Sequence, residues 1–118
     1  MADAGLFIGW GGAVYGREEK GIQVFNEAVD YFTGLQQAGQ IEGFETVFLE
    51  PHGGDLNGFF LLRGGREQLG RIRGSDELNR LTTRAGQVVQ GFGVVGALLG
   101  DAIPSQVGAY LEAVSELS

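Results

Sequence analysis

The amino-acid sequence predicts an α+β domain in which four strands form one antiparallel sheet and helices cover one of its faces. Three observations carry that expectation. Short runs of bulky apolar residues alternate with amphipathic segments in the order strand, helix, strand, strand, helix, strand, helix. The central pair of runs, FETVFLE and FFLLR within residues 44–63, is joined by PHGGDLNG, a composition that suits a turn. A chain of 118 residues also suits a single domain with its own core.

Each element has a local reason. Residues 5–10, GLFIGW, read as the first strand, and Gly11, Gly12 and Gly16 loosen the chain after it. From about Glu18 the period becomes helical, with Ile22, Phe25, Val29, Phe32 and Leu35 at i, i+3, i+7, i+10 and i+13. Glu18 and Glu19 place negative charge in the first turn, where it suits the helix dipole. Gly34 costs this helix about 1 kcal/mol, and Gly39 is the expected stop. The hairpin follows, and Gly64-Gly65 then opens REQLGRI, with Leu69 and Ile72 on one face. Gly74 interrupts this helix. Ser75 restarts one as an N-cap, with Asp76 and Glu77 in the first turn, Leu78, Leu81 and Ala85 as its buried stripe, and Gly86 as its end. Residues 88–99, VVQGFGVVGALL, predict the last strand. A turn over residues 101–104 leads into a helix from about Ser105, striped by Val107, Tyr110, Leu111, Val114 and Leu117. The first six elements form the split βαβ repeat of the ferredoxin-like fold, with an added C-terminal helix. Right-handed crossovers then give the antiparallel four-stranded sheet. No solenoid period and no linker divides residues 1–118.

Composition narrows the chemistry. The chain has no Cys, which excludes disulfides, thiolate catalysis and Cys-based metal sites. Its 22 glycines are far above the usual ~7%, yet they lie among patterned apolar residues and read as turns and close packing. A net charge of −7 disfavours nucleic acid and anionic membranes as partners. Six of the arginines fall within residues 63–84, against Glu67, Asp76 and Glu77, so a locally basic segment sits in an acidic chain. The start, MADAGLFIGWGG, lacks the pattern of a secretory signal. No apolar run approaches the roughly 18 residues of a membrane span, and a cytoplasmic location is the expectation.

The strands are apolar on both sides. Phe44, Thr46 and Phe48 alternate with Val47 and Leu49, while residues 59–62 and 94–99 are apolar almost throughout. A single layer of helices covers one face only, so the other needs a cover of its own. A second copy of the same sheet is the simplest one, making a homodimer through the sheet face. The alternative is a monomer whose C-terminal helix folds over the open face. In element order, length and two-sided apolar pattern, the chain resembles the dimeric α/β-barrel superfamily, in which two protomers pack their sheets face to face. The resemblance spans nearly the whole chain and implies such a dimer. It also implies an alternative function, because some members are cofactor-free oxygenases that use Asn, Trp and His side chains.

Three residues match those chemistries by type, and Tyr15 joins them as a candidate. His52, the sole histidine, sits in the turn with Glu50, Asp55 and Asn57 and is a candidate general base with a carboxylate partner. Asn57, Trp10 and Tyr15 complete the catalytic candidates. An ordinary hairpin turn is the commoner explanation of His52 and core packing that of Trp10, and no family motif aligns with any of them. Arg63 and Arg66, flanking Gly64-Gly65 at a helix start, are candidates for holding a phosphate or carboxylate. The segment lacks P-loop spacing. Arg71, Arg73, Arg80 and Arg84 read as a solvated helix face or as a docking surface. Gly9, Gly11 and Gly93 mark either close packing or space for a flat, apolar ligand between sheet and helices. No metal and no cofactor is expected. The leading expectation is a ferredoxin-like homodimer binding a small apolar or anionic ligand. The alternatives are a cofactor-independent monooxygenase or isomerase, and a protein-assembly module.

Overall fold

The computed structural model describes residues 3–118. Its elements are β1 (Ala4–Trp10), α1 (Glu18–Gln37), β2 (Gly43–Phe48), β3 (Gly58–Gly64), α2 (Arg66–Arg73), α3 (Asp76–Ala85), β4 (Gly93–Leu98) and α4 (Ala102–Glu116). The strands form one sheet in the order β2-β3-β1-β4, with every neighbouring pair antiparallel. This is the ferredoxin-like arrangement with a C-terminal helix added.

Register places one apolar set under the helices. Leu6 lies opposite Leu62 and Ile8 opposite Phe60 across β1 and β3, and Phe44 lies opposite Leu62 across β2 and β3. Leu6, Ile8, Phe60 and Leu62 are all buried, against Phe32, Leu35, Leu69, Ile72 and Leu78 from the helices. A slip of one residue would turn this whole set to the other face, so burial fixes the register. α1 ends as glycine permits. Gly39 adopts φ of 75°, and the Gln40 N–H donates to the Leu35 carbonyl at 2.9 Å, capping an otherwise orphaned acceptor. Ser75 caps α3, its Oγ accepting from the Leu78 N–H at 3.2 Å.

Two expectations are corrected, and one alternative is set aside. The buried stripe of α1 is Val24, Ala28, Phe32 and Leu35; Phe25 and Val29 flank it, and Ile22 is 63% exposed. The helix is rolled because Val24 packs against Ala85 and Val88, in a small second cluster that a stripe read from α1 alone does not include. Residues 88–92 do not belong to β4. Val88 is buried in that second cluster, Val89 makes only an isolated bridge to Ala13, and the strand starts at Gly93 after Gly91 turns at φ of 61°. Finally, α4 does not fold over the open face of the sheet: none of its residues is buried.

Candidate functional site

A cavity of about 400 Å³ opens between α1, α3 and the end of the sheet where β1 finishes and β3 begins. Its walls are Ile8, Trp10, Phe25, Phe48 and Phe60, with Leu81 and Phe92 on the α3 side. The aromatic cluster is continuous. Trp10 meets Phe25 and Phe48 edge-on at 6.1 and 6.3 Å and lies 5.2 Å from Phe60, and Phe25 stacks on Phe60 at 5.4 Å. Gly58 makes room for the indole, since a Cβ there would lie 2.8 Å from the Trp10 ring and 2.7 Å from the Val47 carbonyl oxygen. Any larger residue forces one of them to move.

Polar groups are few and placed at the edge. Glu18, Asn26, Asn57 and Thr82 share the lining. Asn57 is held by its backbone, its N–H donating to the Trp10 carbonyl and its own carbonyl accepting from Leu49 N–H, both at 2.8 Å. Those bonds fix Asn57 beside the indole because both strands end there. Thr82 Oγ1 donates to the Asn79 carbonyl at 3.1 Å, and the hydroxyl oxygen retains its capacity to accept. An apolar, aromatic wall with a few amide and hydroxyl groups suits a small, largely apolar molecule carrying a hydrogen-bonding group.

The structure brings together only part of the expected set. Trp10 and Asn57 share the cavity wall. Tyr15 does not, being 95% exposed in the segment before α1. His52 is exposed and absent from the lining. Its Nδ1 accepts from the Gly54 N–H at 3.2 Å and its Nε2 lies 2.8 Å from the Leu56 carbonyl. Both ring nitrogens thus engage the backbone of the ring's own loop. Arg63 and Arg66 do not converge on one anion. Arg63 pairs with Glu45 of β2, two residues along the neighbouring strand, while Arg66 lines a groove beside β4 with Leu98 and Asp101. Arg63 belongs to β3, whereas Arg66 opens α2.

Two of the glycine questions resolve as packing. A Cβ on Gly9 would meet the Phe7 ring at 2.6 Å, and one on Gly11 would meet the carbonyl oxygens of Asp55 and Gln90 at 2.9 Å. Gly93 has open space around it. Phe48, Asn26 and Thr82 are cavity residues that sequence reasoning missed. Phe48 continues the alternation of Phe44 and Thr46, so its side was legible, whereas the placing of Asn26 and Thr82 on one cavity depends on how α1 crosses α3. That crossing is tied by Arg84, whose guanidinium grips Glu27 at 2.5 and 3.0 Å. The Arg84 hydrogen bond holds the Glu27 carboxyl below its ordinary range. Among the described residues no group of three His, Cys, Asp or Glu side chains is placed to hold a metal ion, and no helix is long and apolar enough to cross a membrane.

The fold and the cavity define a ferredoxin-like domain with a ligand-sized space between sheet and helices. Among solved structures, it is similar to a dimeric protein of unknown function and ferredoxin-like fold from Bacteroides fragilis, with a TM-score of 0.58 and 11% identity over 81% of this chain and 96% of that one. It is also similar to SnoaB, a cofactor-independent oxygenase from Streptomyces nogalater, with a TM-score of 0.53 and 14% identity over 85% of this chain and 96% of that one. No family model and no curated protein matches the sequence. At such identities the likeness is one of fold.

Proposed function

We propose that the protein is a homodimer, joined through the open sheet face, whose cavity binds a small, largely apolar molecule with one hydrogen-bonding group. The observation that carries the binding reading is the aromatic cavity of about 400 Å³ with Asn57 fixed at its edge. The dimeric neighbour from Bacteroides fragilis supports self-association, and the uncovered apolar strand residues supply a surface for it. Trp10 is the sole tryptophan and stands in the cavity wall, so its emission reports occupancy directly. Titration with 1-naphthol should quench it saturably, at one probe per chain. Asn57→Ala should weaken 1-naphthol about tenfold, the loss of one hydrogen bond worth ~1.4 kcal/mol, and leave naphthalene unaffected. A non-saturating signal, or equal weakening of both probes, contradicts the reading.

A second reading is cofactor-independent oxygenation, supported by the fold likeness to SnoaB and by Trp10 and Asn57 standing side by side on the cavity wall. Oxygen uptake with dihydroxynaphthalenes, lost in both Trp10→Phe and Asn57→Ala, separates it from simple binding. Uptake that persists in those variants removes the cavity from the reaction.

A further inference from the structure

We infer that α4 is an exchanged arm: its apolar stripe packs on the second copy of the chain and is required for the dimer. Ile103, Val107, Tyr110, Leu111, Val114 and Leu117 run the length of the helix, and all are 46–91% exposed. The charged residues of the helix, Glu112 and Glu116, lie off that stripe, giving the charge-depleted, aromatic-containing composition of an interface centre. A helix of 15 residues is marginal in water by itself. Something must therefore cover its stripe.

The chain's own body does not provide the cover. β4 ends at Leu98 and α4 begins at Ala102, so three residues connect them. The first turn of α4, at Ala102, Ser105 and Gln106, lines a groove with Arg66, Leu69 and Arg73 of α2, on the helix-bearing side of the sheet. Three residues do not carry the helix from there around the β4 edge to the open face. Instead, α4 leads away from the body. The radius of gyration is 16.2 Å, against about 13.5 Å for a compact chain of this length.

Area identifies the occupant as a second copy. The accessible surface is 7727 Å², whereas a folded monomer of 12.5 kDa exposes about 6,200 Å². The excess of about 1,500 Å² per chain exceeds the ~800 Å² per partner of a standard interface and falls in the range of obligate homodimers. Six side chains on α4, at on the order of 100 Å² each, supply only part of it, and the uncovered sheet face supplies more. One two-fold axis that joins two copies closes both surfaces at once, with each arm on the other body.

This inference rests on the self-association proposed above, and sedimentation of the full-length chain separates the two. Wild type should be dimeric at micromolar concentration. Val107→Asp/Leu111→Asp should raise the dissociation constant at least 100-fold while Trp10 emission stays unchanged and circular dichroism loses no more than the helical signal of α4, since neither residue is buried in the single chain. If that double variant misfolds, the milder Leu111→Ser should still weaken the dimer about tenfold. A wild-type monomer overturns both readings. Unchanged dimerisation in the α4 variants, together with monomers on charging the sheet face, overturns only the exchanged arm.

Discussion

Phe32 shows how one side chain organises the core. It is fully buried, lies edge-on to Phe44 and Phe60 at 5.7 and 5.0 Å, and so joins α1 to both strands of the central hairpin. Phe32→Ala should lower unfolding stability by about 3–5 kcal/mol, measured by urea denaturation; a loss below about 1 kcal/mol would mean that neighbouring side chains collapse into the space. Single residues are also where sequence reasoning divides. Phe32 was legible because its helical period and its chemistry point the same way. Trp10 was legible as a core residue, but its place on a cavity wall depends on Gly58, far along the chain, lying beneath the indole. His52 drew notice by being the only histidine. Yet its role as a brace for Gly54 and Leu56 follows from a loop conformation that composition does not encode.

At the level of elements, the position of α1 against α3 decides the shape of the cavity, and the Glu27–Arg84 pair helps to hold it. The Glu27 carboxylate is favoured in the folded state by the Arg84 hydrogen bond, so its folded pKa lies below the unfolded one. The stabilisation it brings is complete above the unfolded carboxylate range and fades as pH falls through the folded value. Glu27→Gln should therefore be slightly less stable than wild type at neutral pH, with the difference closing in strong acid and shrinking in high salt, because the pair is partly exposed. A gap in thermal midpoint that stays constant down to pH 2 would assign the effect to something other than this ion pair. Element order was legible because each element announces itself locally, by alternation, helical period, Ser75 or Gly39. The roll of α1 was not, since Val24 is drawn inward by Ala85 and Val88, some sixty residues on. The start of β4 was misplaced for the same reason: Val88 and Val89 have strand-like chemistry but are claimed by that cluster and by the bridge to Ala13.

For the whole molecule, two apolar surfaces and one cavity have to be reconciled. The cavity lies on the helix side of the sheet, while Phe7, Phe59, Leu61 and Val95 line the other side, with the Phe7 and Phe59 rings 4.9 Å apart and Val95 55% exposed. Leu61 sits in β3, an inner strand, and faces away from the core opposite Phe7 and Glu45, so a charge there is partly solvated in a single chain but would be buried at the centre of a sheet-to-sheet contact. An unpaired charge buried in such an interface typically costs 3–5 kcal/mol. Leu61→Asp should consequently weaken the dimer by two to three orders of magnitude in sedimentation equilibrium. Because the helix-side wall is untouched, the variant should keep the Trp10 emission and 1-naphthol binding of wild type. A dimer of unchanged affinity would move the interface off this face. A monomer that also loses 1-naphthol would show that the cavity takes its shape from the assembled pair, linking the sheet that self-associates to the pocket that binds.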